Sequence, residues 1–103
     1  MSVVTVNKSN FEKEVLESDK PVLIDLWAAW CMPCRMLSPT VDALAEELED
    51  VKVCKINVDE ERELAQKFNV MSIPMLAVVK DRTVVASTVS VQSRENILKL
   101  LGK

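Results

Sequence analysis

Apolar residues are arranged in two ways along this chain: in short continuous runs, and in stretches where they recur with helical spacing. Short apolar or β-branched runs bounded by polar residues favour strands. The predicted strands cover residues 2–6, 22–29, 51–58, 75–80 and 83–89. The run VLIDLWAA (22–29) is nearly all apolar, which is expected of a strand that is covered on both faces of its sheet.

The first two predicted helices are marked by a capping pattern and by an apolar stripe. Ser9, followed by Glu12, has the capping-box pattern of a helix start. A second helix is predicted from about Cys31, because apolar residues then recur at helical intervals. Pro39 lies inside this stripe and is expected to kink the helix rather than end it.

The second half of the chain contains two further helix caps and one tight turn. Asp59 is the predicted cap of a short third helix. Ser93 is the predicted cap of the last helix, which Gly102 ends. Only Asp81 and Arg82 separate the last two strands. These strands are therefore predicted to form a hairpin, with positive φ favoured at both turn positions.

The predicted elements follow the order β-α-β-α-β-α-β-β-α. Alternating strands and helices predict parallel strands joined by crossover helices, and the final hairpin adds an antiparallel pair. The expected fold is therefore α/β, with a mixed sheet and helices on both of its faces. The length of 103 residues suits a single domain over residues 1–103.

The composition narrows the possible partners and locations of the protein. A net charge of −3 argues against binding to nucleic acid, because such surfaces are usually basic. No apolar stretch approaches the ~18 residues of a membrane span, so no membrane partner is predicted. The N-terminal sequence MSVVTVNKSN lacks the basic and then apolar layout of a signal peptide. A cytoplasmic location is therefore expected.

Three cysteines and the absence of histidine limit the chemistry that this chain can carry. Cys31 and Cys34 form a Cys-x-x-Cys motif, and Cys54 lies apart from them. A tetrahedral zinc site needs four ligands, so carboxylates would have to complete one here. A purely structural disulfide is disfavoured because cytosolic thiols are kept reduced and this loop is very short. The motif favours a redox pair, with no metal and no cofactor besides its own disulfide.

The position of the motif, between a buried strand and a helix start, supports redox chemistry. Cys31 would lie at the helix N-terminus, where unpaired N–H groups and the helix dipole favour a thiolate. Arg35 adds positive charge nearby, and Pro33 fits the first turn, where a missing N–H costs nothing. Cys34 falls one turn further on. This arrangement predicts an exposed attacking Cys31 and a sheltered resolving Cys34.

Two charged residues interrupt the predicted buried strands. Asp25 is the only polar residue of VLIDLWAAW, and Lys55 interrupts VCKINV. A buried carboxylate is costly unless it is paired or protonated. One hypothesis is a structural ion pair between Asp25 and Lys55. The other makes Asp25 a proton acceptor for Cys34, with a raised pKa that Lys55 tunes.

The segments DLWAAWCMPCR, KINVD and VMSIPMLAVVKD resemble the thioredoxin family in order and spacing, over nearly the whole chain. The resemblance implies a three-layer α/β fold, in which a central mixed five-stranded sheet is flanked by four helices. It also implies that Cys31 attacks a substrate disulfide and that Cys34 resolves the resulting mixed disulfide.

The same resemblance implies a surface on which an extended substrate docks. The peptide bond between Ile73 and Pro74 would be cis and would face the cysteines. From the residues alone, Pro74 is only a turn proline, and most X-Pro bonds are trans. The residues implied to form this surface are Trp30, Met32, Ile73, Pro74, Val89 and Ser90.

The chain departs from the family pattern where side chains replace glycines. The family usually carries glycine at the positions of Met32, Arg82 and Ser90. Glycine lets another backbone approach closely, so the departures at Met32 and Ser90 bear on partner range rather than on the exchange chemistry. Cys54 is interpreted as a small buried apolar residue, with a regulatory thiol as the alternative.

Three functions are compatible with these features. The leading hypothesis is a monomeric cytosolic dithiol–disulfide oxidoreductase, which reduces disulfide-containing proteins and is recycled by a flavoprotein thioredoxin reductase. The second is a dedicated redox carrier for one reductase and one target. The third is a thioredoxin-like binding subunit with incidental cysteines, against which the intact set of four site residues argues: Cys31, Cys34, Asp25 and Lys55.

Overall fold

The computed structural model describes residues 2–103. The strands are β1 (Val4–Thr5), β2 (Val22–Trp27), β3 (Lys52–Asn57), β4 (Met75–Lys80) and β5 (Thr83–Val89). The helices are a π-helical segment (Glu12–Leu16), α1 (Met32–Glu47), α2 (Arg62–Lys67) and α3 (Arg94–Leu100). The predicted order of elements is confirmed, although β1, β2 and β3 are each shorter than the runs that contain them.

The strands form one five-stranded sheet in the order β1-β3-β2-β4-β5. β3 runs parallel to both β1 and β2, whereas β4 runs antiparallel to both β2 and β5. The predicted α/β fold with a central mixed sheet is therefore confirmed. In this sheet Asp25 of β2 lies between Lys55 of β3 and Leu76 of β4, so the two charged residues of the buried strands are direct neighbours.

Buried apolar residues cover both faces of the sheet, as expected for strands that are apolar throughout. Side chains alternate along a strand, so Leu23 and Asp25 share the face against which α1 and α3 pack. The buried residues on this face include Leu23, Leu37, Val41, Leu44, Val53, Leu76, Val78 and Ile97. The π-helical segment and α2 cover the other face, where the buried residues include Phe11, Val15, Val22, Ile24, Ile56, Leu64 and Phe68.

The predicted capping box at the first helix is wrong. Asn7 organises the turn before the helix instead: its Oδ1 accepts the N–H of Ser9 at 2.9 Å, and its backbone carbonyl accepts the N–H of Phe11 at 3.0 Å. Asparagine readily forms such turns with the backbone just beyond it. The carboxylate of Glu12 pairs with Arg82 at 2.8 Å, and no side-chain hydrogen bond caps the π-helical segment.

The predicted cap of α2 is wrong for a related reason. The backbone N–H of Asp59 donates to Asn57 Oδ1 at 2.9 Å, so the turn is organised by the asparagine that ends β3. α2 begins later, after Glu61, which makes no side-chain cap. The carboxylate of Asp59 accepts the indole N–H of Trp30 at 2.8 Å instead, which links this turn to the residue before the Cys-x-x-Cys motif.

The remaining turn and cap predictions agree with the structure. α1 continues through Pro39, and Ser93 caps α3 by accepting the N–H of Asn96 at 3.1 Å. Gly102 follows α3 with φ of 82°, a left-handed conformation that glycine adopts without strain. The hairpin turn has φ of 50° at Asp81 and 67° at Arg82, as a two-residue turn favours.

Candidate active site

Cys31 and Cys34 are joined by a disulfide at the start of α1, with their Cα atoms 5.3 Å apart. Cys31 is the N-cap of the helix, and its Sγ accepts the backbone N–H of Cys34 at 3.2 Å. Pro33 lies in the first turn, where it removes no helical hydrogen bond. The helix start therefore offers the Cys31 sulfur both an N–H donor and the positive end of the helix dipole.

The prediction that Cys31 is exposed is wrong for this oxidised state, whereas Cys34 is sheltered as predicted. Cys31 is 4% exposed and Cys34 is 3% exposed. The two sulfurs differ in the space that each one faces, because Cys31 lines an open groove and Cys34 lines a small cavity beneath α1. The disulfide thus separates two distinct environments.

The cavity on the Cys34 side, called here the inner cavity, has a volume of about 120 Å³. It is lined by Asp25, Trp27, Cys34, Arg35, Ser38 and Lys55. Asp25 is buried, and its Oδ1 has no hydrogen-bond partner. Burial disfavours the charged carboxylate and raises the pKa of Asp25 to about 6, while the charge of Lys55 lowers this pKa and that of Asp42 raises it.

Lys55 is not paired with Asp25. Its Nζ lies 2.9 Å from Asp42 Oδ1 and donates to Ser38 Oγ at 2.6 Å. The hypothesis of a structural Asp25–Lys55 ion pair is therefore wrong, although Lys55 still acts on the pKa of Asp25 through its charge. Sequence reasoning missed Ser38 and Asp42. Ser38 lies four residues and Asp42 eight residues after Cys34, and this spacing on one face of α1 was the signal that could have found them.

The open space on the Cys31 side, called here the outer groove, has a volume of about 470 Å³. Its lining is mostly apolar and includes large exposed side chains: Trp30 is 71% exposed, Met32 64% and Met71 96%. Sequence reasoning missed Val70, Met71 and Ser72. The complete lining is Trp30, Cys31, Met32, Pro33, Val70, Met71, Ser72 and Ile73.

The loop before β4 and the end of β5 carry the remaining residues that the resemblance implied. The Ile73–Pro74 peptide bond is cis. The carbonyl of Pro74 accepts the backbone N–H of Ser90 at 2.9 Å, which brings the end of β5 beside this loop. Ser90 has φ of 75°, a conformation costly for a residue other than glycine. Val89 is partly exposed and pairs with Met75 in the β4–β5 register.

Comparisons with known proteins agree with this geometry. The family model described as Thioredoxin matches residues 2–103. The chain belongs to the thioredoxin family. It is 42% identical to a thioredoxin of Porphyra purpurea, with 100% of this chain and 97% of the relative aligned. It is 43% identical to thioredoxin 1 of Synechococcus elongatus, with 100% and 98% aligned. It is 40% identical to a thioredoxin of Pseudomonas aeruginosa, with 96% and 93% aligned.

Membership of the thioredoxin family and the Cys31–Cys34 disulfide together make the protein a thiol–disulfide oxidoreductase.

The third cysteine, Cys54, is fully buried, and burial raises the pKa of its thiol to about 12. Among residues 2–103, no cluster of histidine, cysteine and acidic side chains could hold a metal ion. None of the helices in that range has the length and apolar character needed to cross a bilayer.

Proposed function

We propose that the protein is a cytosolic reductant of protein disulfides, which works as a monomeric single domain and is returned to its dithiol form by a flavoprotein thioredoxin reductase. The observation that carries the proposal is the placement of the Cys31–Cys34 disulfide at the start of α1, between the outer groove and the inner cavity. One sulfur faces a space that a partner can enter, and the other faces a buried carboxylate.

In the first step, the thiolate of Cys31 attacks one sulfur of a substrate disulfide. A bond forms between Cys31 Sγ and that sulfur, the substrate S–S bond breaks, and the other substrate sulfur leaves as a thiolate that takes a proton from solvent. The N-cap position of Cys31 supports this role, because helix N-termini favour a thiolate. Its place in the lining of the outer groove gives it access to a partner.

In the second step, Cys34 gives its proton to Asp25 and attacks Cys31 Sγ. The Cys31–Cys34 bond forms, the mixed disulfide breaks, and the second substrate sulfur leaves as a thiolate. The substrate gains two electrons and the protein pair loses two. Asp25 is suited to this task because it is buried beside the same cavity as Cys34 and its pKa of about 6 is close to neutrality. Lys55 tunes that pKa through its charge.

An extended segment of the partner would dock across the outer groove. The exposed side chains of Trp30 and Met32 and the partly buried Ile73 would supply contact area there. The cis Pro74, Val89 and Ser90 would flank the segment on the other side. Exposed hydrophobic surface of this kind is typical of protein-binding sites.

The dedicated-carrier hypothesis remains a second candidate because side chains occupy positions where the family usually carries glycine. Met32 projects from the rim of the outer groove, and Ser90 lies beside Pro74. Either side chain would restrict how closely a partner backbone approaches. Turnover with thioredoxin reductases from several sources separates the two candidates, because a dedicated carrier would accept one of them and a general reductant would accept several.

The proposed function is tested by the reduction of insulin disulfides with dithiothreitol as the electron donor. The wild-type protein should accelerate the reaction, and Cys31→Ser should abolish the acceleration. Cys54→Ala is the matched control, because it removes a thiol that is buried away from both spaces and should leave the rate nearly unchanged. Insulin reduction that is no faster with the wild-type protein than without it would overturn the proposal.

A further inference from the structure

Lys55 has two carboxylates nearby and is bound to the more exposed one. It is paired with Asp25 in the β2–β3 register, which places the two side chains next to each other on the α1 face of the sheet. Its ammonium nevertheless contacts Asp42 and Ser38 of α1, at 2.9 and 2.6 Å. Asp25 is left with an unpartnered carboxylate oxygen.

The geometry of α1 explains why this arrangement is favoured. Ser38 and Asp42 are separated by one helical turn, so both reach the same ammonium. The side chain of Asp42 is 55% exposed, and it therefore stays partly hydrated when it binds Lys55. Ion pairing with Asp25, which is 1% exposed, would instead place both partners of the pair away from water, at a greater cost in desolvation.

We propose that Ser38 and Asp42 are positioning residues, which hold the Lys55 ammonium against α1 and thereby keep Asp25 unpaired and available to exchange a proton with Cys34 across the inner cavity. This inference rests on the proposed function, because the proton exchange between Asp25 and Cys34 belongs to that proposal. It adds two residues that act on Asp25 through their contacts with Lys55.

Loss of these contacts would free Lys55 to turn towards its neighbour in the sheet. A cation against a buried carboxylate favours the ionised form, which lowers the pKa of the carboxyl group and weakens it as a base. β4 contributes only the apolar Leu76 beside Asp25. The polar and charged groups that line the cavity or act on Asp25 are Cys34, Arg35, Ser38, Asp42 and Lys55.

The test is the titration of the Asp25 carboxyl carbon by ¹³C NMR in the oxidised protein. Asp42→Asn should lower the midpoint by about one pH unit, since an opposite charge close to a carboxyl group has an effect of this size or larger. Ser38→Ala should lower it by a smaller amount without changing any charge. Glu46→Gln, which removes an exposed carboxylate one turn further along α1, is the control and should leave the midpoint unchanged.

A second pair of variants shows whether Asp42 acts through Lys55 or directly. In a Lys55→Met background, Asp42→Asn should shift the midpoint by less than half as much as it does in the wild-type background, because no ammonium is left to be released. An equal shift in both backgrounds would mean that only the charge of Asp42 matters and would overturn the proposal. An unchanged midpoint in Asp42→Asn, or in Ser38→Ala, would contradict the role assigned to that residue.

These titrations need no turnover, so their outcome is separate from that of the proposed function. If the wild-type protein fails to reduce insulin but the midpoints shift as expected, the proposed reductase function is refuted and the positioning role of Ser38 and Asp42 is supported. If the wild-type protein reduces insulin but Asp42→Asn leaves the Asp25 midpoint unchanged, the reductase function is supported and the positioning role of Asp42 is refuted. The NMR spectrum of each variant reports directly whether its fold is retained.

Discussion

The inner cavity and the outer groove meet at the same disulfide but are built for different tasks. The inner cavity is small, about 120 Å³, and contains the buried Asp25 and the ammonium of Lys55. The outer groove is about four times larger, 470 Å³, and is lined mainly by apolar side chains such as Trp30 and Met32. The inner cavity can set the pKa of a proton-accepting group but is too small to admit a protein. The outer groove can bind a protein, but its lining has no titratable side chain besides Cys31.

This difference has a general consequence for how the site should respond to mutation. Changes in the inner cavity act on a proton that every exchange reaction requires, so they should affect all disulfide substrates alike. Changes in the outer groove act on contacts that depend on the shape of the partner, so they should affect some partners and spare others. The predictions below use this contrast, from the largest expected effect to the smallest.

The largest effect is on stability, through the buried carboxylate of the inner cavity. The folded-state pKa of Asp25, about 6, lies above the ordinary value of 3.8, so the folded state holds its proton at pH values where the unfolded state has lost it. Stability therefore falls as pH rises from about 4 to about 6 and then levels off. Asp25→Asn should remove this slope, so its gain in the free energy of unfolding relative to wild type should be small at about pH 4 and reach roughly 2–3 kcal/mol at about pH 7 to 8.

Urea denaturation of both proteins across that pH range measures the difference. Glu46→Gln serves as the control, because it removes a carboxylate that is exposed on α1 and does not line the inner cavity, and it should not give the gain expected for Asp25→Asn. Equal pH dependence in Asp25→Asn and wild type would show that the Asp25 carboxyl is not protonated preferentially in the folded state.

Asp25→Asn should also slow the attack of Cys34 on the mixed disulfide with every substrate. Asparagine cannot accept the Cys34 proton, and a positioned base commonly contributes a hundredfold or more to such a transfer. Because solvent can replace the base in part, we expect the resolution of the mixed disulfide to slow at least about tenfold. Stopped-flow measurement with two unrelated protein disulfides provides the check. Slowing with only one of them would place Asp25 in recognition instead of chemistry.

A substitution of Met32, in the outer groove, should affect some partners more than others. Met32→Gly removes a flexible, polarizable side chain beside Cys31 without altering any proton. Turnover by thioredoxin reductases from several sources should change a few-fold, to a different extent for each, while exchange with a small disulfide stays nearly constant. Met36→Ala is the matched control, since Met36 is equally exposed on α1 but does not line the groove. A large change with the small disulfide would contradict the division of tasks.

Arg82 lies outside both regions and should affect stability alone. Its φ of 67° costs about 1–2 kcal/mol in a residue other than glycine. Glycine relieves this strain but adds unfolded-state freedom of about 0.4–1 kcal/mol and removes an exposed ion pair with Glu12 that contributes little. Arg82→Gly should therefore gain only about 0.5 kcal/mol. Thermal unfolding of Arg82→Gly is compared with that of Arg82→Ala, which removes the ion pair but retains the backbone strain. Because this comparison isolates the backbone effect, the glycine variant should be the more stable of the two.

The fold was predictable because its signals are local and repeated. The apolar runs of the strands, the helical stripe of α1 and the turn at Asp81 and Arg82 each specify one element by periodicity or turn chemistry. The caps at Ser9 and Asp59 were predicted wrongly because Asn7 and Asn57, two residues earlier in each case, organise these turns by accepting the backbone N–H groups of Ser9 and Asp59. Several residues of similar capping strength in one loop leave the choice to tertiary packing.

The site was predictable to the extent that its residues stand out against their surroundings. A carboxylate in an apolar strand and a cysteine pair at a helix start are visible in the sequence, as Asp25, Cys31 and Cys34 were. The binding of Lys55 to Ser38 and Asp42 was not, because it depends on which of two carboxylates a long side chain reaches in three dimensions. Burial of Cys31 was likewise missed, since helix position predicts the charge of a thiol but not its exposure.

The division between the two cysteines is tested most directly by locating the covalent intermediate. Cys34→Ser should attack a disulfide-containing protein such as insulin and stop at the mixed disulfide, because the resolving thiol is absent. Peptide mapping by mass spectrometry should then find the intermolecular bond at Cys31, and the Cys31→Ser protein should accumulate no such adduct. An adduct that forms at Cys34 in Cys31→Ser, while Cys34→Ser forms none, would reverse the roles of the two sulfurs and contradict the account.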